Sequence, residues 1–276
     1  MTTAKQKMMK QVLAKPRLRD RFPYRSVSLS SCVHFCAFRY GRNEFNPYEN
    51  YMRAIATNET PEVRQMRFIE FLQHYRPRDL GEALGCSNQL TTKYPLWNFP
   101  WNPINPARFH PGHGWSEDPD DSPDIMTHFS DLGIPQHRIE EEFFWHERAW
   151  QSISRNNYRP LRYGSFIRIR TFRRRDGDEA HLVLEGNHRV AAMSAIGRKS
   201  AVVYQPANTI VFEENCETWP GVVNGYFKVV DALAIFHAYF HANQSYRTTG
   251  LAAPLLTKES LAAKKPEFSF NLQATA

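Results

Sequence analysis

The stretch from Phe166 to Tyr204 constrains the fold more than any other part of the chain, because it reads as three strands and a helix joined by two turns, each with its own local signal. Phe166 to Phe172 (FIRIRTF) alternates strictly, as a strand does, with arginines on one face. Arg173 to Glu179 then turns through Asp176-Gly177, a pair favoured in tight hairpins. Ala180 to Leu184 is the returning strand, Glu185-Gly186-Asn187 a polar turn, and Val190 to Ile196 a short helix of small residues stopped by Gly197. Ser200 to Tyr204 is a further strand. This order predicts an α/β (α+β) domain with a small mixed sheet and flanking helices.

The remaining elements are spread on both sides. Val27 to Phe38 partly alternates and reads as a strand, whereas Tyr48 to Ala56 and Val63 to Tyr75 read as helices, the second bracketed by Pro61 and Pro77. Pro135 to Ile153 fits a helix with apolar positions at Ile139, Phe143, Trp150 and Ile153, and Val229 to Ala242 fits another. Between Tyr94 and Asp124 the density of prolines and aromatics argues for an ordered wrap or lid rather than regular elements. The expected organisation is a basic arm over 1–25, an extension over 26–134, a core over 135–205 and a second extension over 206–276.

A chain of 276 residues with 42% hydrophobic and 13% aromatic content can bury a core without disulfide or metal staples. Cys32, Cys36, Cys86 and Cys216 are too few and too irregularly spaced for a disulfide scaffold. No apolar run approaches the ~20 residues that a bilayer span requires, and no apolar stretch follows the basic N-terminus. The expected location is the cytoplasm. A formal charge of +7, rich in arginine, suits an anionic partner.

The chemistry concentrates in Leu182 to Ile196 (LVLEGNHRVAAMSAI). A strand there ends in the acid Glu185, Gly186 lets the backbone turn, and a helix starts at once. A helix start offers unpaired N–H groups and partial positive charge, which favour a phosphate. Arg189 adds a bidentate donor, and His188 a donor that is neutral or charged. The competing reading is a polar turn in which Asn187 and His188 only cap the helix.

Strand, acid-Gly-x-His-Arg, small-residue helix, glycine, strand resembles the core motif of the ParB/sulfiredoxin-like superfamily, standing here as Glu185-Gly186-Asn187-His188-Arg189 with Val190-Ala191-Ala192 and Gly197. The helix over 138–153 and the Tyr158-Arg159-Pro160 approach are also similar in order, so the resemblance covers about residues 135–205. Sulfiredoxins place a cysteine where this chain has Asn187, which speaks against sulfinic-acid reduction. ParB partition proteins continue into a helix-turn-helix that the pattern beyond Tyr204 does not supply, which disfavours sequence-specific nucleic-acid binding. The free-serine-kinase-like members are closest in motif, although they commonly carry aspartate where Glu185 stands.

The resemblance therefore implies phosphoryl transfer from a nucleoside triphosphate or diphosphate, ATP or ADP first, with Mg²⁺, to a hydroxyl of a small molecule or sugar. Gly186, Asn187, His188 and Arg189 would bind the phosphates, and Arg189 and His188 would also neutralise charge developing on the transferred group. Mg²⁺ would bridge the phosphates, with Glu185, counted among the catalytic residues, as its point of contact, and no separate protein metal site is expected. An upstream glutamate would act as base: Glu140, Glu141, Glu142 and Glu147 all lie near the corresponding point, and Glu141 or Glu140 best fits the chain length to Ile167. The alternative is a nucleotide-binding or nucleic-acid-associated module of the same kind without turnover. The layout with Trp219-Pro220-Gly221-Val222-Val223-Asn224-Gly225 is also similar to proteins of bacterial surface-polysaccharide loci, which would place the acceptor in polysaccharide biosynthesis.

Outside this motif, Cys32, His34 and Cys36 alternate and would share one face of a strand, where a buried core role is expected. His110 and His113, the acids Asp118, Asp120, Asp121 and Asp124, and the run Arg173-Arg174-Arg175 are read as loop residues facing solvent. Their competing roles are metal, Mg²⁺-nucleotide and phosphate contacts respectively.

Overall fold

The computed structural model describes residues 23–41, 45–96, 98–103, 136–206 and 209–241. His110, His113 and the acids from Asp118 to Asp124 fall outside the described residues, as do most of the basic arm and the C-terminal tail. Among the described residues, no helix is long and apolar enough to cross a membrane.

The strands are β1 (Tyr24–Ser28), β2 (Cys32–Val33), β3 (Ile167–Arg173), β4 (Glu179–Glu185), β5 (Ser200–Tyr204) and β6 (Ile210–Phe212). They form one six-stranded sheet in the order β1-β5-β3-β4-β2, with β6 pairing β3 off that path. The sheet is mixed: β3 runs antiparallel to β4 but parallel to β5 and β6, β1 is antiparallel to β5, and β2 is parallel to β4. Helices flank it. The hairpin that joins β3 to β4 forms where Asp176-Gly177 predicts it, with Gly177 at φ 92°.

The helices are α1 (Pro47–Ala56), α2 (Pro61–His74), α3 (Leu80–Leu84), α4 (Gln136–Asn156), α5 (Pro160–Tyr163), α6 (Asn187–Ala195), α7 (Pro220–Val223) and α8 (Val229–Ala238). Several begin on local chemistry. Asn46 caps α1 by accepting from the Glu49 N–H at 3.1 Å, and Asp79 caps α3 through the Glu82 N–H at 2.9 Å.

Two cores sit on opposite faces of the sheet. Ile167, Ile169, Val183 and Val203 meet α1, α2, α4 and α6 on one side, whereas Phe172, Ala180 and Leu182 meet Leu80, Trp219, Ile235 and Phe236 on the other. The arginine face of β3 is therefore only half polar. Arg168 is exposed, Arg170 is half-buried against Asn102, and Phe172 on the same face is fully buried against Trp101 and Tyr239. Burial holds the Arg170 guanidinium below its usual range.

The expectation of one strand over Val27–Phe38 does not hold. β1 ends at Ser28, a single 3-10 turn spans Leu29–Ser31, and only Cys32–Val33 pairs again before the chain turns through Ala37 at φ 60°. Cys32, His34 and Cys36 are all buried, and desolvation pushes the Cys32 thiol up to about 12. The sheet runs across the divisions near 25, 135 and 205: β1 starts at Tyr24 in the arm and continues into the first extension, β2 lies in that extension, and β6 lies in the second.

Two further motifs act in packing. Trp219 lies edge-on to Trp101, and Gly221 sits so close to Pro100 that an added Cβ would fall 2.9 Å from its carbonyl oxygen and 2.8 Å from Phe227. Arg173 pairs with Glu179 at 2.7 Å and Arg174 faces Asp176 at 3.6 Å, so two of the three arginines in this run have carboxylate partners within the chain.

Candidate functional site

β4 ends at Glu185, and Gly186 takes φ 100°, a left-handed conformation that only glycine adopts at little cost. The chain enters α6 directly at Asn187, and Gly186 offers no side-chain oxygen to cap the first N–H groups. Ala191 and Ala192 are fully buried, which lets α6 lie close to the sheet and against α1 and α4.

Successive residues of the first turn point about 100° apart, so the motif fans out. Asn187 turns inward, its Oδ1 accepting from Tyr40 Oη at 3.0 Å. His188 turns towards α4. Arg189 turns towards the loop before β3, donating from Nη1 to the Ser165 carbonyl at 2.7 Å and to the Ser165 hydroxyl. Its other edge lies over the turn: a methyl group on Gly186 would come within 2.9 Å of Nη2 and 3.1 Å of Nε. Burial lowers the affinity of this guanidinium for its proton. Tyr158 fixes the approach to β3, accepting from the Ile167 N–H at 2.9 Å and donating to the Val202 carbonyl at 3.0 Å.

His188 Nε2 and Glu142 Oε1 lie 2.6 Å apart. One helical turn beyond Glu142, His146 donates from Nδ1 to the Glu142 carbonyl at 2.8 Å, and the same nitrogen is 3.6 Å from Glu142 Oε1. Tyr48 stacks on His146 at 5.3 Å and presents its edge to His188 at 5.4 Å, while Tyr51 and Phe68 cover His146 further. Side-chain exposure rises from 0% at His146 through 8% at Glu142 to 25% at His188, so the cluster runs from the core to the surface.

The other acids have different surroundings. Glu140 is exposed and accepts from Gln136 at 3.1 Å. Glu141 is exposed and pairs with Arg138 at 2.6 Å. Glu147 is held by Arg64 at 2.6 Å and Tyr51 at 3.2 Å. Glu185 is exposed and pairs with Arg168 across the β3–β4 ladder. Of the four upstream glutamates, Glu142 is the one that meets His188, although chain length alone favoured Glu140 and Glu141.

Sequence reasoning passed over His146, Tyr48, Tyr40 and Ser165. For His146 the signal was present: the apolar ladder of α4 runs Ile139, Phe143, Trp150, Ile153, and the missing rung between 143 and 150 is His146. A histidine on a buried rung with a glutamate four residues earlier marks a polar cluster in the core. Tyr48, Tyr40 and Ser165 reach the site through tertiary packing and carried no local signal.

Comparison of the chain with family models, with curated proteins and with solved structures gives no match in any of the three.

Proposed function

We propose that this chain is a phosphotransferase that moves a phosphoryl group from a nucleoside phosphate to a hydroxyl of a small molecule, on a ParB/sulfiredoxin-like core. The observation that carries the reading is the 2.6 Å contact between His188 and Glu142 in the first turn of α6, beside Arg189. It puts a proton-sharing pair next to a helix start where phosphate oxygens are favoured.

In this reading the N–H groups after Gly186 and the Nε–Nη2 edge of Arg189 hold the phosphates. Phosphoryl transfer asks chiefly for positioning and for charge placed where it develops, and that arrangement supplies both. The hydroxyl proton passes to the Glu142–His188 pair as the new O–P bond forms, and the nucleoside diphosphate or monophosphate leaves with the electron pair of the broken bond. Glu140 and Glu141 take no part, since each faces solvent beside a partner on its own helix.

Mg²⁺ prefers oxygen donors, and Glu185 offers one carboxylate at the mouth of the turn, shared with Arg168. When bound with the nucleotide, the ion would offset phosphate charge. The Glu142–His146–His188 cluster, with two imidazoles, is a poor match for it.

The test is incubation of the purified chain with ATP or ADP, Mg²⁺ and a panel of amino-acid and sugar hydroxyls, followed by ³¹P NMR. A new phosphoester that depends on the acceptor is the expected result. Nucleotide binding without any product would indicate a binding module without turnover, and no nucleotide binding would overturn both readings.

A further inference from the structure

From the geometry of α4 and α6 we infer a binding site for one borderline divalent cation, of the Zn²⁺, Co²⁺ or Fe²⁺ class, made by Glu142, His146 and His188. Among the described residues, these side chains each offer a ligand atom, and the atoms all lie within 4.8 Å of one another. Two imidazoles and one carboxylate are the donor mix that such ions take, with positions left for solvent or substrate.

The spacing is close to what coordination needs. Donors at ~2.0–2.2 Å from a shared ion stand somewhat closer to one another than the widest separation here, a gap that side-chain rotation can close. Glu142 Oε1 is already 2.6 Å from His188 Nε2, and because His146 gives its Nδ1–H to the Glu142 carbonyl, Nε2 is the His146 nitrogen that would ligate. Coordination would put the ion in place of the proton that Glu142 and His188 share, releasing that proton to solvent.

The surroundings are those of a held site. The carbonyl of Glu142 accepts from His146 Nδ1–H, which fixes the ring and its tautomer as outer-shell partners of ligating histidines do. Tyr48, Tyr51 and Phe68 wall the buried side, and the partly exposed His188 brings the cluster to the surface. The two helices contribute one ligand pair and one single ligand, so an ion would tie α4 to α6.

This inference does not depend on phosphoryl transfer, which the reading above assigns to the ion-free Glu142–His188 pair. The test is titration of the full chain with Co²⁺ at constant pH, followed by visible absorption, gel filtration with metal analysis, and thermal unfolding with and without the ion. The expected result is one ion retained per chain, ligand-field bands that differ from those of aqueous Co²⁺, displacement by Zn²⁺, and a raised Tm. His146→Gln and His188→Gln are expected to lower affinity at least tenfold, while His74→Gln on the exposed face of α2 leaves it unchanged. Because His146 is buried, circular dichroism checks that its variant folds, and the partly exposed His188 supplies an independent variant. A wild-type chain that leaves the spectrum of aqueous Co²⁺ unaltered and retains no ion would overturn the site, whether or not phosphoryl transfer is found. Retention unaffected by both histidine variants would overturn it as well.

Discussion

Glu142 and His188 stand 46 positions apart in the sequence and meet at 2.6 Å. α4 reaches this point because Phe143 and Ile153 anchor it in the same core that receives Val190, Ala191 and Ala192 of α6. Two apolar faces with no chemistry of their own thus bring a buried carboxylate to the one histidine of the Gly186 turn. A charge-assisted contact in such surroundings is stronger than at a surface, and costly to leave half made.

Replacing Glu142 by Gln keeps the shape and one acceptor oxygen but removes the charge. Transfer is expected to fall by about 10²-fold or more, the range typical for loss of a proton-handling group. Tm should change by only a few degrees, because Gln still accepts from His188. Turnover by ³¹P NMR and a melting curve on the same sample give the two readouts. A lower Tm with undiminished turnover would make the pair structural.

Arg189→Ala removes the fork over the Gly186 turn and its bonds to Ser165. KM for the nucleotide is expected to rise about tenfold or more, the effect of one lost charge-assisted contact, with a smaller change in kcat. Steady-state kinetics over a range of nucleotide concentrations separates the two. An unchanged KM would remove Arg189 from the phosphate site.

Gly186→Ala and Gly177→Ala test the turn by contrast. Both glycines have positive φ, 100° and 92°, so both variants carry backbone strain of about 1 kcal/mol. An added Cβ at Gly177 meets nothing within 4 Å, whereas at Gly186 it meets Arg189 Nη2 at 2.9 Å and Ile167 Cγ1 at 3.1 Å. Urea unfolding should therefore show Gly186→Ala destabilised by about 1–3 kcal/mol more than Gly177→Ala. Equal losses would mean that the guanidinium moves aside freely.

Acid should weaken the fold through His181. Burial, with Arg25 adding to it, brings this imidazole down to about 4 from its ordinary 6.5, while Glu179 opposes the shift. Its ring sits 3.1 Å from Thr171 Oγ1 and 3.8 Å from Glu179 Oε2, with Arg173 also near. Below pH 6.5 the unfolded chain binds a proton that the folded chain refuses until about pH 4. Stability from this group is thus fully present above pH 6.5 and declines as pH falls through that window, by on the order of 3 kcal/mol. Urea unfolding at stepped pH measures the decline, and His181→Gln should flatten it between those limits. A profile of the same slope in the variant would assign the loss to carboxylates such as Glu179.

The sequence by itself determined what short-range backbone chemistry decides. Alternation placed β3, Asp176-Gly177 placed the hairpin, Gly186 placed the abrupt entry to α6, and proline at the start placed α2; α6 begins three residues earlier than the pattern suggested because Asn187 follows the left-handed glycine directly. Tertiary structure alone decided which distant pieces complete the sheet and the site. The two-residue β2 and three-residue β6 are too short to show a period, and they are strands only because β4 and β3 offer them free edges. The choice of Glu142 over Glu140 and Glu141 likewise turns on the rotation of α4 about its axis. At 100° per residue, neighbouring glutamates point in different directions, and the packing of Phe143 and Ile153 into the core sets which of them faces His188.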